Sequence, residues 1–258
     1  MIKFFRKIRQ NLLMENKTAK YFKYAIGEIL LVIIGILIAV SINNWNEDRK
    51  LKKIEQSILK DLKQEMTINL KALELVIEGN ERSFQGAEEI KALFGDREAF
   101  NKISDTTFYR LIRKMNWNAT YDPKNGILNS IISSGQINQL SNKELKYLLA
   151  SIKELTTDAL ENSMNIETQR GDLMKSAWIN AMFIADKKNV GYDVKSFYEH
   201  PEFIFATNNL FISQRRDGLK EEKELKATLE YIIELINKNI CISANTNNYI
   251  LMLIFNKS

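Results

Sequence analysis

At 258 residues the chain has room for a membrane anchor and one domain of ordinary size, but not for two full domains beside the anchor. Only two prolines and ten glycines interrupt it, a scarcity that favours long helices. The formal charge of +5 is uneven: of 37 basic residues seven fall in the first 24, against one of 32 acidic residues, so the remainder is nearly neutral. A nucleic-acid-binding domain would carry its excess on the folded part, and no nucleic-acid partner is expected.

The basic stretch 1–23 is read as a cytoplasmic tail. Phe4, Phe5, Ile8, Leu12 and Leu13 recur at helical spacing between Lys3, Arg6, Lys7 and Arg9. That pattern suits either a short helix on an anionic membrane surface or charges that only set topology.

Residues 24–42, YAIGEILLVIIGILIAVSI, contain one charge, Glu28. At 1.5 Å per residue such a helix covers about 28 Å, close to a hydrocarbon core. Tyr21, Phe22 and Tyr24 at one end and Trp45 near the other suit the two interfaces. A cleaved signal peptide is the competing reading, but its apolar stretch is usually shorter. The flanking basic residues place the tail in the cytoplasm and 43–258 outside, with the bilayer as first partner. Glu28 either reaches the headgroups or meets another helix. Gly27, Leu31, Gly35 and Ala39 share one face, and Gly35 with Ala39 would let a second helix, including another copy, approach closely.

From 43 to 80 the apolar residues Leu51, Ile54, Ile58, Leu62, Met66, Leu73 and Ile77 step mostly by three or four, predicting a stalk helix that ends at Gly79 and Asn80. A helical domain over 81–240 follows. Its first helix stops at Gly95 and Asp96, and Ser104 or Asp105 starts another through Met115. Asp122 with Pro123 starts a third, closed by Gly135, and Ser141 with Glu144 forms a capping box. Helices to about Thr168 and from Gly171 to Ile184 are expected, then a short one before Pro201 and a long one over 202–239, interrupted near Gly218. No sustained alternation of period two occurs, so the fold class is all-α: one transmembrane helix, a stalk and an irregular helical bundle. The apolar tail 241–258, containing YILMLIF, is too short to span a bilayer and is expected to dock on the bundle or a partner.

The single histidine, His200, excludes paired-imidazole metal motifs and is read as a loop or capping residue before Pro201. Cys241 is read as a small buried apolar residue, with an intermolecular disulfide as the alternative. No nucleotide-binding glycine loop or nucleophile elbow is present; no cofactor, metal or catalytic activity is expected. Two groups invite closer weighing. Trp117, Tyr121 and Asp122, with the turn at 133–136, could line a ligand or partner site or serve packing and turn chemistry. Arg215 and Arg216 could grip an anion, although adjacent helical residues diverge, which favours surface salt bridges.

The opening stretch, most specifically YFKYAIGEI and INNWNE, resembles a family of membrane-anchored proteins of unknown function from Bacteroidota. A weaker likeness runs over 120–149, and Ser41 stands where that family usually has glutamine. The resemblance implies an inner-membrane protein with a periplasmic domain and supplies no activity. The expectation is an envelope interaction module that binds another envelope protein. The alternative is the ligand-binding part of a sensor, which 23 cytoplasmic residues would oblige to signal through a partner.

Overall fold

The computed structural model describes the backbone of residues 18–188 and 193–255, with side chains over most of 26–182 and 193–241. The chain divides into two compact units, Met1–Glu55 and Gln56–Ser258. No strand occurs among the described residues, and the second unit is a helical bundle.

Helix α1, Thr18–Phe94, contributes to both units. In the first unit its apolar stretch is wholly unburied, with Ile29, Leu31, Ile36, Leu37 and Ile42 all exposed. Among the described residues α1 is the one helix long and apolar enough to cross a membrane.

In the second unit α1 is followed by α2 (Arg97–Lys102), α3 (Asp105–Met115) and α4 (Gly126–Ser133). Asp96 caps α2 by accepting from Ala99 N–H, and Ser104 caps α3 by accepting from Thr107 N–H, as their residue types lead one to expect. Gly135, at φ 73°, takes the left-handed conformation that turns α4 into a 3₁₀ turn at Gln136–Gln139. Helix α5 runs from Lys143 to Lys188. At its start Asn142 Oδ1 accepts from Leu145 N–H at 2.9 Å. A 3₁₀ turn at Val194–Glu199 leads into α6 (Pro201–Phe205), with His200 as N-cap residue and Pro201 at the first helical position. The helix then widens into a π-helical segment, Ala206–Gln214, and narrows again as α7, Arg215–Phe255.

Two hydrophobic cores result. The first is aliphatic and joins Leu59, Leu62, Met66 and Leu73 of α1 to Leu145 and Leu149 of α5 and to Leu229, Ile232 and Ile236 of α7. Helix α7 runs antiparallel to α1 there. Glu81 pairs with Lys223 at 2.6 Å, Glu74 with Lys226 at 3.0 Å, and Gln56 donates to the Asn239 carbonyl at 3.4 Å. The second core is aromatic and gathers Phe100, Phe108, Phe197, Tyr198, Phe203 and Phe211 around Ile90 and Ala177. Its rings meet edge to face, Phe197 and Phe203 at 5.0 Å between centroids, apart from the stacked pair Phe100 and Tyr198 at 3.8 Å.

Four expectations are corrected. Helix α1 passes through Gly79 and Asn80 and ends at Phe94. Helix α5 passes through Gly171, where an added Cβ would meet nothing within 4 Å. The interruption expected near Gly218 lies earlier, in the π segment, while Gly218 lies inside the helix at a close approach to α5, where an added Cβ would stand 3.0 Å from Asn162 Cβ. Cys241 is exposed. The backbone of the C-terminal tail continues α7 to Phe255, and its side chains lie outside those described.

Candidate functional site

The inward face of α1 is not purely apolar. Glu65, Asn69, Asn80 and Ser83 are buried on it among leucines and isoleucines, and each takes a backbone group from residues 115–128. Ser83 donates to the Met115 carbonyl. Asn80 exchanges two bonds with the backbone of Ala119, both 3.2 Å. Asn69 does the same with Lys124, donating at 2.8 Å and accepting at 2.9 Å. Glu65 accepts from Ile127 N–H at 2.7 Å and Leu128 N–H at 2.9 Å, and so caps α4 from a distance. The connecting chain therefore runs antiparallel along α1, with the backbone groups of Met115, Ala119, Lys124, Ile127 and Leu128 met by α1 side chains.

Two glycines let that chain lie close. A Cβ on Gly86 would stand 2.8 Å from Met115 N, and one on Gly79 would stand 2.7 Å from Trp117 Nε1. Gly79 and Asn80, read from sequence as the end of a helix, are thus a docking groove and a clamp inside it. The same clamps explain why α4 starts at Gly126 and not at Asp122–Pro123. Both sides of Lys124 are held to Asn69 in a non-helical segment, and the first α4 amides go to Glu65 instead of a local cap.

Asn80 also reaches a buried ionic network. Its Nδ2 donates to Glu222 Oε1 at 2.9 Å, and Ser163 Oγ donates to the same oxygen at 2.8 Å. Arg215, almost fully buried, donates to Ser163 Oγ and to the Trp117 carbonyl, both at 3.4 Å, and to Asn118 Oδ1. Asn118 donates in turn to Glu167 at 2.8 Å, and Glu167 is paired with Arg170 at 2.8 Å. Glu222 Oε2 and Arg215 Nε have no hydrogen-bond partner.

Burial pushes the Arg215 guanidinium down to about 10, with the Glu222 charge opposing the fall. Burial raises Glu222 above the usual carboxylate range, opposed by the Ser163 bond, the Arg215 charge and the Asn80 bond. The bond from Arg170, then that from Asn118, holds Glu167 below its ordinary value. Along α1 the network falls between the first core, ending at Ile77, and the second, starting at Ala87. Along α5 its buried member Ser163 falls between Ala159 and Ile166; in the last helix Arg215 falls between Ile212 and Leu219, while Glu222 lies two turns on, between Leu219 and Leu225 of the first core. It is a polar seam joining two apolar cores, buried at Asn80, Ser163, Arg215 and Glu222 and open to solvent at Glu167 and Arg170, suited to fixing their register.

The sequence-predicted trio does not converge. Tyr121 is a core residue whose phenol is pushed up to about 12 by burial, Asp122 is exposed, and Trp117 lies over Gly79 yet remains 56% exposed. Leu75, 70% exposed, and Ile68, 41% exposed, share the α1 stripe of Gly79, so Trp117 extends an apolar strip. Arg215 and Arg216 do diverge, but Arg215 enters the seam while Arg216 lies over the Phe84 ring at 5.9 Å, which corrects the surface reading of the first. Gly27, Gly35 and Ala39 are on the exposed apolar part of α1, the two glycines in open space, and Glu28 is half-buried there. Lys3, Phe4, Phe5, Arg6, Lys7 and Arg9 lie outside the described residues. Among the described residues no group of three or more His, Cys, Asp or Glu side chains is arranged to hold a metal ion.

No curated protein and no solved structure matches the chain. A family model described as a family of unknown function, DUF6090, matches residues 28–165. The match takes in most of the apolar stretch, the α1 clamps and the chain they hold, and stops short of Arg215 and Glu222. It covers more than half of the chain, which therefore belongs to the DUF6090 family of unknown function.

Proposed function

We propose that the chain is a single-pass inner-membrane protein whose residues 43–258 lie in the periplasm, and that its helical domain acts by binding another envelope protein. The unburied apolar stretch of α1 and the lysine and arginine excess before it support the anchor and its orientation. Binding rather than catalysis is supported by the seam, whose buried Arg215 and Glu222 are closed to solvent.

The observation that carries the interaction reading is Trp117. Its indole is seated on Gly79, its carbonyl is held by Arg215, and more than half of it is exposed, on the helical stripe that one turn earlier carries exposed Leu75. An exposed tryptophan on an apolar stripe is a frequent interface hot spot, because it buries a large area on binding. A photo-crosslinking residue at Leu75 in intact membranes should give one discrete adduct with a second protein, and the same residue at exposed Lys102 should not. Adducts of equal pattern at both positions, or none at Leu75, would sink the reading. Periplasm-active and cytoplasm-active reporters fused after the domain test the orientation, and activity of the cytoplasmic one overturns it.

A further inference from the structure

The flank of the span on the domain side holds five basic residues between 43 and 60, and the interaction reading does not use them. They are not evenly spread. Trp45, Arg49, Lys52 and Lys53 stand at i, i+4, i+7 and i+8 of α1 and share one exposed face directly after Ile42. Lys50, on a different face, is paired with Glu47 at 2.9 Å. Asp48 borders the stripe beside Lys52, so Arg49 and Lys53 carry most of its charge.

Helix geometry sets the depth. At 1.5 Å per residue Trp45 lies about 5 Å past Ile42, Arg49 about 10 Å and Lys53 about 16 Å. The headgroup zone is about 5–8 Å thick on each side of a bilayer. Cα–Cβ bonds of a helix tilt toward its N-terminus, here toward the membrane, and long basic stems extend that reach. Arg49 already does this: its guanidinium lies 5.9 Å from the centre of the Trp45 ring, one turn closer to the apolar stretch.

We propose that Trp45, Arg49, Lys52 and Lys53 form a binding site for the phosphodiester headgroup of an anionic glycerophospholipid in the leaflet nearest the domain. Trp45 sits at the interface, Arg49 meets the phosphate above it, and Lys52 and Lys53, about 15 and about 16 Å past Ile42, attract it from beyond the headgroup zone. The proposal rests on the reading of residues 24–42 as a membrane span. It gives the basic residues of this flank a task other than orientation, which they oppose.

The test uses the full chain in proteoliposomes of phosphatidylcholine containing brominated phosphatidylglycerol or, at the same mole fraction, brominated phosphatidylcholine. Trp45 emission is the difference between the wild type and Trp45→Phe, a substitution outside both cores. Phosphatidylglycerol should quench it several-fold more effectively. Arg49→Gln should remove most of that preference, since one basic side chain at an anionic surface contributes about fivefold. Lys52→Gln and Lys53→Gln, farther out, should each remove a smaller share. Lys50→Gln should leave it unchanged, and soluble glycerophosphate should compete poorly because it lacks the bilayer that fixes the depth. Equal quenching by the two lipids overturns the proposal and leaves the span intact. So does a Lys50→Gln loss equal to the others, which would mean a diffuse charge effect. Absence of quenching by either lipid overturns the span reading and the proposal together.

Discussion

Glu65 and Glu222 are both carboxylates sealed inside the helical domain, and they are satisfied in opposite ways. Glu65 accepts two backbone amides at the start of α4, each of which needed an acceptor because a helix leaves its first N–H groups unpaired. Glu222 accepts from two side chains, leaves one oxygen without a partner and depends on the charge of Arg215 nearby. The first arrangement adds stability, because it supplies what the backbone lacks. The second fixes which helices meet and at what register while costing desolvation, and apolar residues of similar volume could replace it.

The largest test of that difference removes one charge from the seam. Arg215→Met leaves Glu222 buried beside neutral groups and should destabilise the domain by about 3–5 kcal/mol, read as a lower urea midpoint at unchanged slope. The double variant Arg215→Met with Glu222→Leu should recover most of the loss. If the double variant is as unstable as the single one, the seam contributes net stability and the contrast with Glu65 fails.

At the α4 cap the expected cost is smaller. Glu65→Gln keeps one accepting oxygen and turns an NH2 group toward the other amide, leaving a buried N–H unmet at about 1–3 kcal/mol. No second substitution at the seam should rescue it. Rescue would couple the two regions.

The pH dependence separates them further. Arg215 is pushed down to about 10 in the folded state, below its unfolded value, so the native state pays for its charge until the pH exceeds that value. Stability from this group therefore rises with alkali above about pH 10. Glu222→Gln removes the charge that supports the guanidinium, so the rise should begin at lower pH in that variant. On the acid side the raised Glu222 carboxyl contributes stability that is present below the ordinary carboxylate range and lost as pH climbs through its raised value. Glu222→Gln should abolish that part of the profile. Urea midpoints across pH measure both, and identical profiles for wild type and variant would deny the seam its electrostatic coupling.

What was legible in the sequence follows the same division. Hydrophobic periodicity located helical stretches, though not where α1 and α5 end, and Ser104 acted as the cap its chemistry predicts, because those signals are local. Glu65, Asn69 and Asn80 were invisible as clamps, since their partners lie 39 to 63 residues away and a polar residue on an apolar stripe has no local signature. The π segment was equally silent. Its composition is ordinary, and it buries Leu210 and Phe211 in the aromatic core just before Arg215 enters the seam. The candidate trio failed for a related reason: Trp117, Tyr121 and Asp122 are neighbours in an extended chain, where successive side chains leave in different directions.

Glycine shows how far a single letter misleads without its surroundings. Gly171 and Gly79 are both inside helices, and the first has only open space around it. Gly171→Ala should therefore stabilise the domain by about 0.5–1 kcal/mol through helix propensity alone, measured as a raised urea midpoint. Gly79→Ala gains the same propensity but places a methyl 2.7 Å from Trp117 Nε1. The indole, being exposed, can swing away, so the two contributions should nearly cancel and the midpoint should stay within about 0.5 kcal/mol of wild type. Trp117 emission should shift to the red, and the discrete Leu75 adduct should weaken although the fold is intact. An unchanged spectrum and an unchanged adduct would mean that the seat on Gly79 does not set the exposed surface, and Gly79 would then be kept for the closeness of the chain that Asn80 clamps.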